Sequence, residues 1–138
     1  MILLDTSGLL AALDGGQRHH RRAAESLAAA HPPLLLSPFV LAELDYLLAS
    51  RVGEAARASV LAEVGRGAYL LETMTGADVA RAHAVIERYA DLTISLADAS
   101  IVVLAERHGV HEVLTLDERH FRVLSAEGKP LRLLPADA

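Results

Sequence analysis

The chain has 138 residues, 52% of them apolar and 22% charged, with a formal net charge of −5. This size and balance fit one globular domain with its own core and exclude a disordered chain. The absence of cysteine excludes disulfides, thiolate metal sites and cysteine nucleophiles.

The opening Met-Ile-Leu-Leu-Asp has no basic flank, and its apolar run is too short for a signal peptide. No stretch approaches the roughly 20 apolar residues of a membrane span. The expectation is therefore a cytoplasmic protein without membrane association. Ile2 to Leu4 is a short strand, followed by an apolar helix over Thr6 to Asp14 that stops at Gly15-Gly16. His20 to Ala30 is an alanine-rich helix ending before Pro32-Pro33, and Leu34 to Leu36 is a second strand. Ser37-Pro38 starts a helix, because serine caps and proline suits the first helical position; it runs to about Arg51. Glu54 to Val64 is a helix between Gly53 and Gly65, and Tyr69 to Leu71 a third strand. Thr75 to Tyr89 opens on Thr-Gly-Ala-Asp, a capping-box pattern. Ser95 to His108 is a helix closed by Gly109. A strand over Glu112 to Thr115, a helical turn after Asp117 and a strand over Leu131 to Leu134 complete the chain. Strands alternating with helices predict an α/β fold, a three-layer α/β/α sandwich around a short, mainly parallel sheet, with residues 1–138 as one domain. In such sheets ligands gather at the carboxyl ends of the strands.

Two aspartates fall at such ends. Asp5 follows the first strand and Asp117 follows Leu114-Thr115-Leu116. Each also precedes a helix, so a capping role is the plain alternative. Asp98 lies three residues after Ser95, where a capping box is again available, yet the helix it opens is apolar almost all round. A carboxylate in such surroundings needs a partner, or its pKa rises. The helix offers no basic residue before Arg107. In the Ser37 helix, Glu43 and Asp45 lie on opposite rims of the apolar arc, and periodicity does not choose between them.

Magnesium and manganese take oxygen ligands, commonly carboxylates with waters and substrate phosphate. Such an ion neutralises charge on a phosphate and turns a bound water into a nucleophile. The net charge is the wrong sign for holding nucleic acid by bulk electrostatics, and with 4% aromatic residues a base-stacking platform is not expected. A divalent cation would supply the local positive charge that an RNA substrate needs. Gln17-Arg18-His19-His20-Arg21-Arg22 is the strongest basic cluster, read as a solvated helix start, with contact to RNA phosphates or a partner as the alternative. His108 and His111 suit a helix C-terminus rather than zinc. His120 is read as a surface residue, although it lies three positions beyond Asp117 and so within reach of the same pocket. Asp78 and Asp91 read as cap and loop residues. Phosphate-loop, dinucleotide and nucleophile-elbow patterns are missing. A phosphatase with Asp5 as nucleophile is poorly matched, because Ser7 stands where such enzymes carry a second aspartate.

Four segments taken together resemble the PIN-domain family, and within it the VapC toxins of VapBC toxin–antitoxin pairs. They are Met-Ile-Leu-Leu-Asp5-Thr6-Ser7-Gly8, Ser37-Pro-Phe-Val-Leu-Ala-Glu43-Leu, Leu96-Ala-Asp98-Ala-Ser-Ile and Leu114-Thr115-Leu-Asp117, spread over nearly the whole chain. The resemblance selects Glu43 over Asp45. It implies an endoribonuclease using Mg2+ or Mn2+, the toxin component of a type II pair, with Asp5, Glu43, Asp98 and Asp117 as its catalytic and metal-binding residues. Asp5 and Asp98 would be direct ligands, Asp117 a direct or water-mediated one, and Glu43 would hold or activate water. Thr115 and Ser7 would support the site by hydrogen bonding. It further implies a homodimer held inactive by a cognate VapB-type antitoxin. The rival reading is a non-catalytic RNA- or protein-binding module that retains the fold.

Overall fold

Ile2–Leu4 forms the central strand β1 and is buried along its whole length, because a parallel neighbour covers each of its edges. In the computed structural model, which describes residues 1–138, the main sheet has five strands in the order β3-β2-β1-β4-β7. These are β2 (Leu34–Leu36), β3 (Leu70–Leu71), β4 (Glu112–Leu114) and β7 (Arg132–Leu134), every pairing being parallel. Leu3 is in register with Leu35 on one side and Val113 on the other. The strands are short and almost wholly apolar, as expected where helices cover both faces of a sheet.

Seven α-helices supply the outer layers: α1 (Thr6–Leu13), α2 (His20–Ala29), α3 (Pro38–Leu47), α4 (Glu54–Gly65), α5 (Gly76–Arg88), α6 (Leu96–His108) and α7 (Glu118–Phe121). The three-layer α/β/α reading holds. None of the helices is long and apolar enough to cross a membrane. The capping signals act as read: Ser37 accepts from the Phe39 N–H at 3.2 Å, and Thr75 and Ser95 both form capping boxes with the aspartate three residues on. Helix α6 is the most buried, with Ala97 and every residue from Ala99 to Ala105 enclosed. It packs against α5, α3 and β1, so an apolar surface on all sides is what its position requires.

Gly8 sets the approach of α1 to the sheet. A Cβ at that position would stand 2.4 Å from the carbonyl oxygen of Leu114, so only glycine lets α1 lie on the end of β4. The contact is continued by Asp5, whose N–H donates to the same carbonyl at 3.0 Å.

Three local features differ from the expectations. The helix begun by Ser37 ends as α at Leu47 and passes into one π turn over Leu48–Val52, closed by a Gly53 N–H to Leu48 carbonyl bond of 2.8 Å. Strand β3 is two residues rather than three: Tyr69 is buried before the strand begins, and Leu70 and Leu71 are exposed on the sheet edge. A second, antiparallel pair, β5 (Ser125–Ala126) and β6 (Lys129–Pro130), was not expected. Its two-residue turn places Glu127 and Gly128 at φ of 52° and 73°, the left-handed values that a hairpin turn of this length demands.

Candidate active site

Asp5 leaves β1 at its carboxyl end with an extended backbone, and its side chain makes no capping bond to α1. The capping alternative therefore fails for this residue. Its Oδ2 instead accepts the Thr115 hydroxyl at 2.6 Å and the Ser7 hydroxyl at 2.7 Å. Those hydroxyls are themselves fixed by backbone. The Asp117 N–H donates to Thr115 Oγ1 at 2.9 Å and the Leu116 N–H to Ser7 Oγ at 3.0 Å. The end of β1 and the turn after β4 are thereby tied into one unit around a carboxylate only 4% exposed.

Burial pushes the Asp5 carboxyl up to about 6. The Thr115 and Ser7 hydroxyls oppose the shift, and the nearby Asp98 charge adds to it. Asp98 is also raised, again chiefly by burial, with Asp117 pushing in the same direction and Ser95 and His120 against it. Asp98 retains its capping bond, Ser95 N–H to Oδ2 at 3.1 Å. Asp117 caps α7 through Oδ1, which accepts the His120 N–H at 3.0 Å. For these two residues capping and membership of the cluster coexist: Asp117 bonds the backbone through Oδ1 and the His120 ring through Oδ2, while Oδ2 of Asp98 both accepts the Ser95 N–H and lies 3.9 Å from that ring.

His120 belongs to this cluster, which corrects its reading as a surface residue. Its Nδ1 lies 2.8 Å from Asp117 Oδ2 and 3.9 Å from Asp98 Oδ2. Donor atoms of Asp98, Asp117 and His120 all fall within 4.8 Å of one another. The sequence signal was the spacing of three from Asp117, which places His120 on the first turn of α7.

Glu43 lies on α3, exposed to solvent, and none of the hydrogen bonds of the cluster reaches it. Asp45, its rival on the helical wheel, is bound by the Arg57 guanidinium at 2.5 Å and so is neutralised within the fold. A buried hydroxyl pair, Ser37 Oγ to Ser100 Oγ at 2.7 Å, fastens the start of Glu43's helix to α6 one half-turn beyond Asp98.

The donor set suits a divalent cation. Donor atoms of Asp98 and Asp117 stand together, Asp5 lies outside that group but near enough for the Asp98 charge to raise it, and the ion pairs of the protein bring no arginine or lysine to any of the three. Both hydroxyls engage Asp5 Oδ2, so no side-chain donor occupies Oδ1. Carboxylate oxygens are what magnesium and manganese take, and the His120 imidazole is engaged with Asp117.

The fold is thus a parallel α/β/α sandwich with an acidic cluster, one that could hold a metal ion, at the carboxyl edge of its sheet, where ligands of such folds gather. The chain belongs to the PIN domain family, which matches residues 2–126. It is 41% identical over 127 residues to ribonuclease VapC26 of Mycobacterium tuberculosis, covering 92% of this chain and 94% of that protein. Among solved structures, Mycobacterium tuberculosis VapC20, described as a sarcin-ricin loop cleaving toxin, superposes with a TM-score of 0.79 at 25% identity, over 85% of this chain and 90% of the other. A toxin–antitoxin complex from Klebsiella pneumoniae shares the fold with a TM-score of 0.70 at 20% identity, over 90% of this chain and 92% of the other.

Proposed function

We propose that this chain is a single-domain, Mg2+- or Mn2+-dependent endoribonuclease, the toxin of a type II toxin–antitoxin pair. The observation that carries the reading is Asp5: a buried carboxylate, held by two hydroxyls and no cation, beside a second raised carboxylate. Such an arrangement destabilises the empty protein and is relieved by a bound divalent cation. The ribonuclease among its relatives, alike over nearly the whole length, supports RNA as the substrate.

Asp5, Asp98 and Asp117 are the ligands in this reading, with His120 holding Asp117 in place through its ring N–H. A divalent cation would gather phosphate oxygens and acidify the attacking water. Thr115 and Ser7 fix the rotamer of Asp5 through Oδ2, which leaves Oδ1 without a side-chain partner. Glu43, with no partner of its own, accepts the proton of the attacking water, a role that hydrogen-bonded Asp45 cannot take. A homodimer inhibited by a cognate VapB-type antitoxin completes the proposal; the antitoxin is in keeping with the toxin–antitoxin complex among the structures that share the fold.

The test is cleavage of end-labelled RNA by purified protein with Mg2+ or Mn2+, with EDTA, and by Asp5→Asn and Asp98→Asn variants. Cleavage is expected only for the wild type with metal. Undiminished cutting by either variant would refute the site, and RNA binding without any cutting would favour the non-catalytic module.

A further inference from the structure

The basic run at the start of α2 returns, in the fold, to the edge of the acidic site. A cavity of about 90 Å³ lies between His19 and Arg22 on one side and Thr115, Leu116, Glu118 and Pro135 on the other. Thr115 is shared with the site, since its hydroxyl donates to Asp5 at 2.6 Å. Leu116 is also shared, through its N–H bond to Ser7. One side chain therefore separates the cavity from the buried carboxylate.

Glu118 and Arg22, the carboxylate and the guanidinium that line the cavity, form no ion pair with each other. Glu118 is engaged by Arg122, which is held in turn by Asp137, and Arg21 is paired with Glu25. Arg22 donates one bond, from Nη2 to the Pro135 carbonyl at 3.1 Å, and enters none of the protein's ion pairs. A guanidinium carries five N–H donors in a planar fork, so a single carbonyl partner leaves most of that fork free to take a phosphate in bidentate fashion. His19 stands beside it with no hydrogen-bond partner on its ring.

Resting on the ribonuclease reading, we propose that this cavity is a phosphate subsite for the RNA strand, in which Arg22, assisted by His19, holds a backbone phosphate neighbouring the one that is cut. A chain of net charge −5 with carboxylates in its site repels a polyanion. A fixed, unpaired guanidinium next to those carboxylates offsets the repulsion where the strand must enter. The strand also has somewhere to go. Beyond Arg22 and Pro135, which wall both spaces, a second cavity of about 210 Å³ continues along α2 past Ser26 and Ala29, with Glu25, the partner of Arg21, also on its wall. His19 stands at the cap of α2, and positions 22, 26 and 29, spaced by four and three, lie on one face of the helix.

The experiment measures affinity for a short labelled RNA in EDTA across a range of salt, together with Mn2+-supported cleavage kinetics of the same protein. For Arg22→Gln the slope of log affinity against log salt should fall in magnitude by about 0.7, the loss of one phosphate contact on a single strand. KM should rise several-fold while kcat is retained, and Arg22→Lys should keep the wild-type slope. His19→Gln, which breaks no bond of the fold, should raise KM to a smaller degree, and it decides the matter if Arg22→Gln proves poorly folded. Wild-type slope and KM in Arg22→Gln, or unchanged KM in His19→Gln where the former does not fold, would overturn the subsite. So would competition by inorganic phosphate with an unchanged RNA slope, which marks a free-anion site. A wild-type protein that never cuts RNA sinks the ribonuclease reading instead, whatever the salt slopes show.

Discussion

Replacing Asp5 by asparagine removes a charge that the fold encloses but does not neutralise. Burial lifts this carboxyl from its ordinary 3.8 to about 6. The folded protein therefore binds the proton more tightly than the unfolded chain does. Relative to the acid range, stability is full below about pH 4 and declines as pH rises to about 6, where the native carboxyl has ionised. Two pKa units at about 1.4 kcal/mol each give a cost of about 3 kcal/mol at neutral pH in the metal-free protein. Asparagine keeps an acceptor for Thr115 and Ser7 but sets an amide group where Oδ1 was, which takes back part of that gain. Thermal unfolding in EDTA near pH 7.5 should thus show Asp5→Asn more stable than wild type by about 1–3 kcal/mol, or about 3–10 °C in Tm. Near pH 4 the gap should close. Added Mg2+ or Mn2+ should raise the Tm of the wild type and leave the variant almost unmoved, since a ligand stabilises only the state that binds it. A variant less stable than wild type in EDTA at neutral pH, or a gap unchanged on acidification, would refute the argument that Asp5 stores this cost.

Thr115→Val removes the shortest hydrogen bond to Asp5 and the acceptor for the Asp117 N–H. Because that bond lowers the Asp5 pKa, the acidic limb of the pH–rate profile should move to higher pH; an unmoved limb would separate Thr115 from the chemistry. Gly8→Ala drives a Cβ to 2.4 Å from the Leu114 carbonyl oxygen and should cost about 1–3 kcal/mol or more. Gly65→Ala, whose Cβ meets nothing within 4 Å, is the control and should be neutral or slightly stabilising in denaturant titrations. Glu43→Gln, at an exposed and unpartnered position, should change stability by less than about 0.5 kcal/mol. It should nevertheless lower cleavage by about a hundredfold, the usual contribution of a general base; full activity would remove Glu43 from the mechanism.

The sheet and the position of Asp5 were legible because both depend on short-range pattern. A residue that directly follows a buried parallel strand is delivered to the sheet's carboxyl edge whatever else the chain does. Asp98 was legible for a similar reason: a capping-box aspartate opening an all-apolar helix has to be partly buried. Local pattern could not distinguish Glu43 from Asp45, because the deciding contact comes from Arg57 on the next helix, twelve residues away. Nor could it weigh His120, since α7 is only four residues long and gives no periodicity from which to tell an inward face. The β5–β6 hairpin escaped notice because Glu-Gly is not among the turn pairs that announce a two-residue loop, and Glu127 adopts its positive φ without the asparagine or aspartate that usually marks one. Strand β3 was read as Tyr69 to Leu71, one residue too long, because Tyr69 is apolar and buried, while its pairing with β2 begins only at Leu70.

Anomalous diffraction from crystals soaked in Mn2+ tests the metal centre without recourse to any substrate. A peak within coordination distance of Asp5, Asp98 and Asp117, absent from Asp98→Asn crystals treated identically, is the predicted result. No peak at those carboxylates, or one that survives the substitution at full height, would contradict the account.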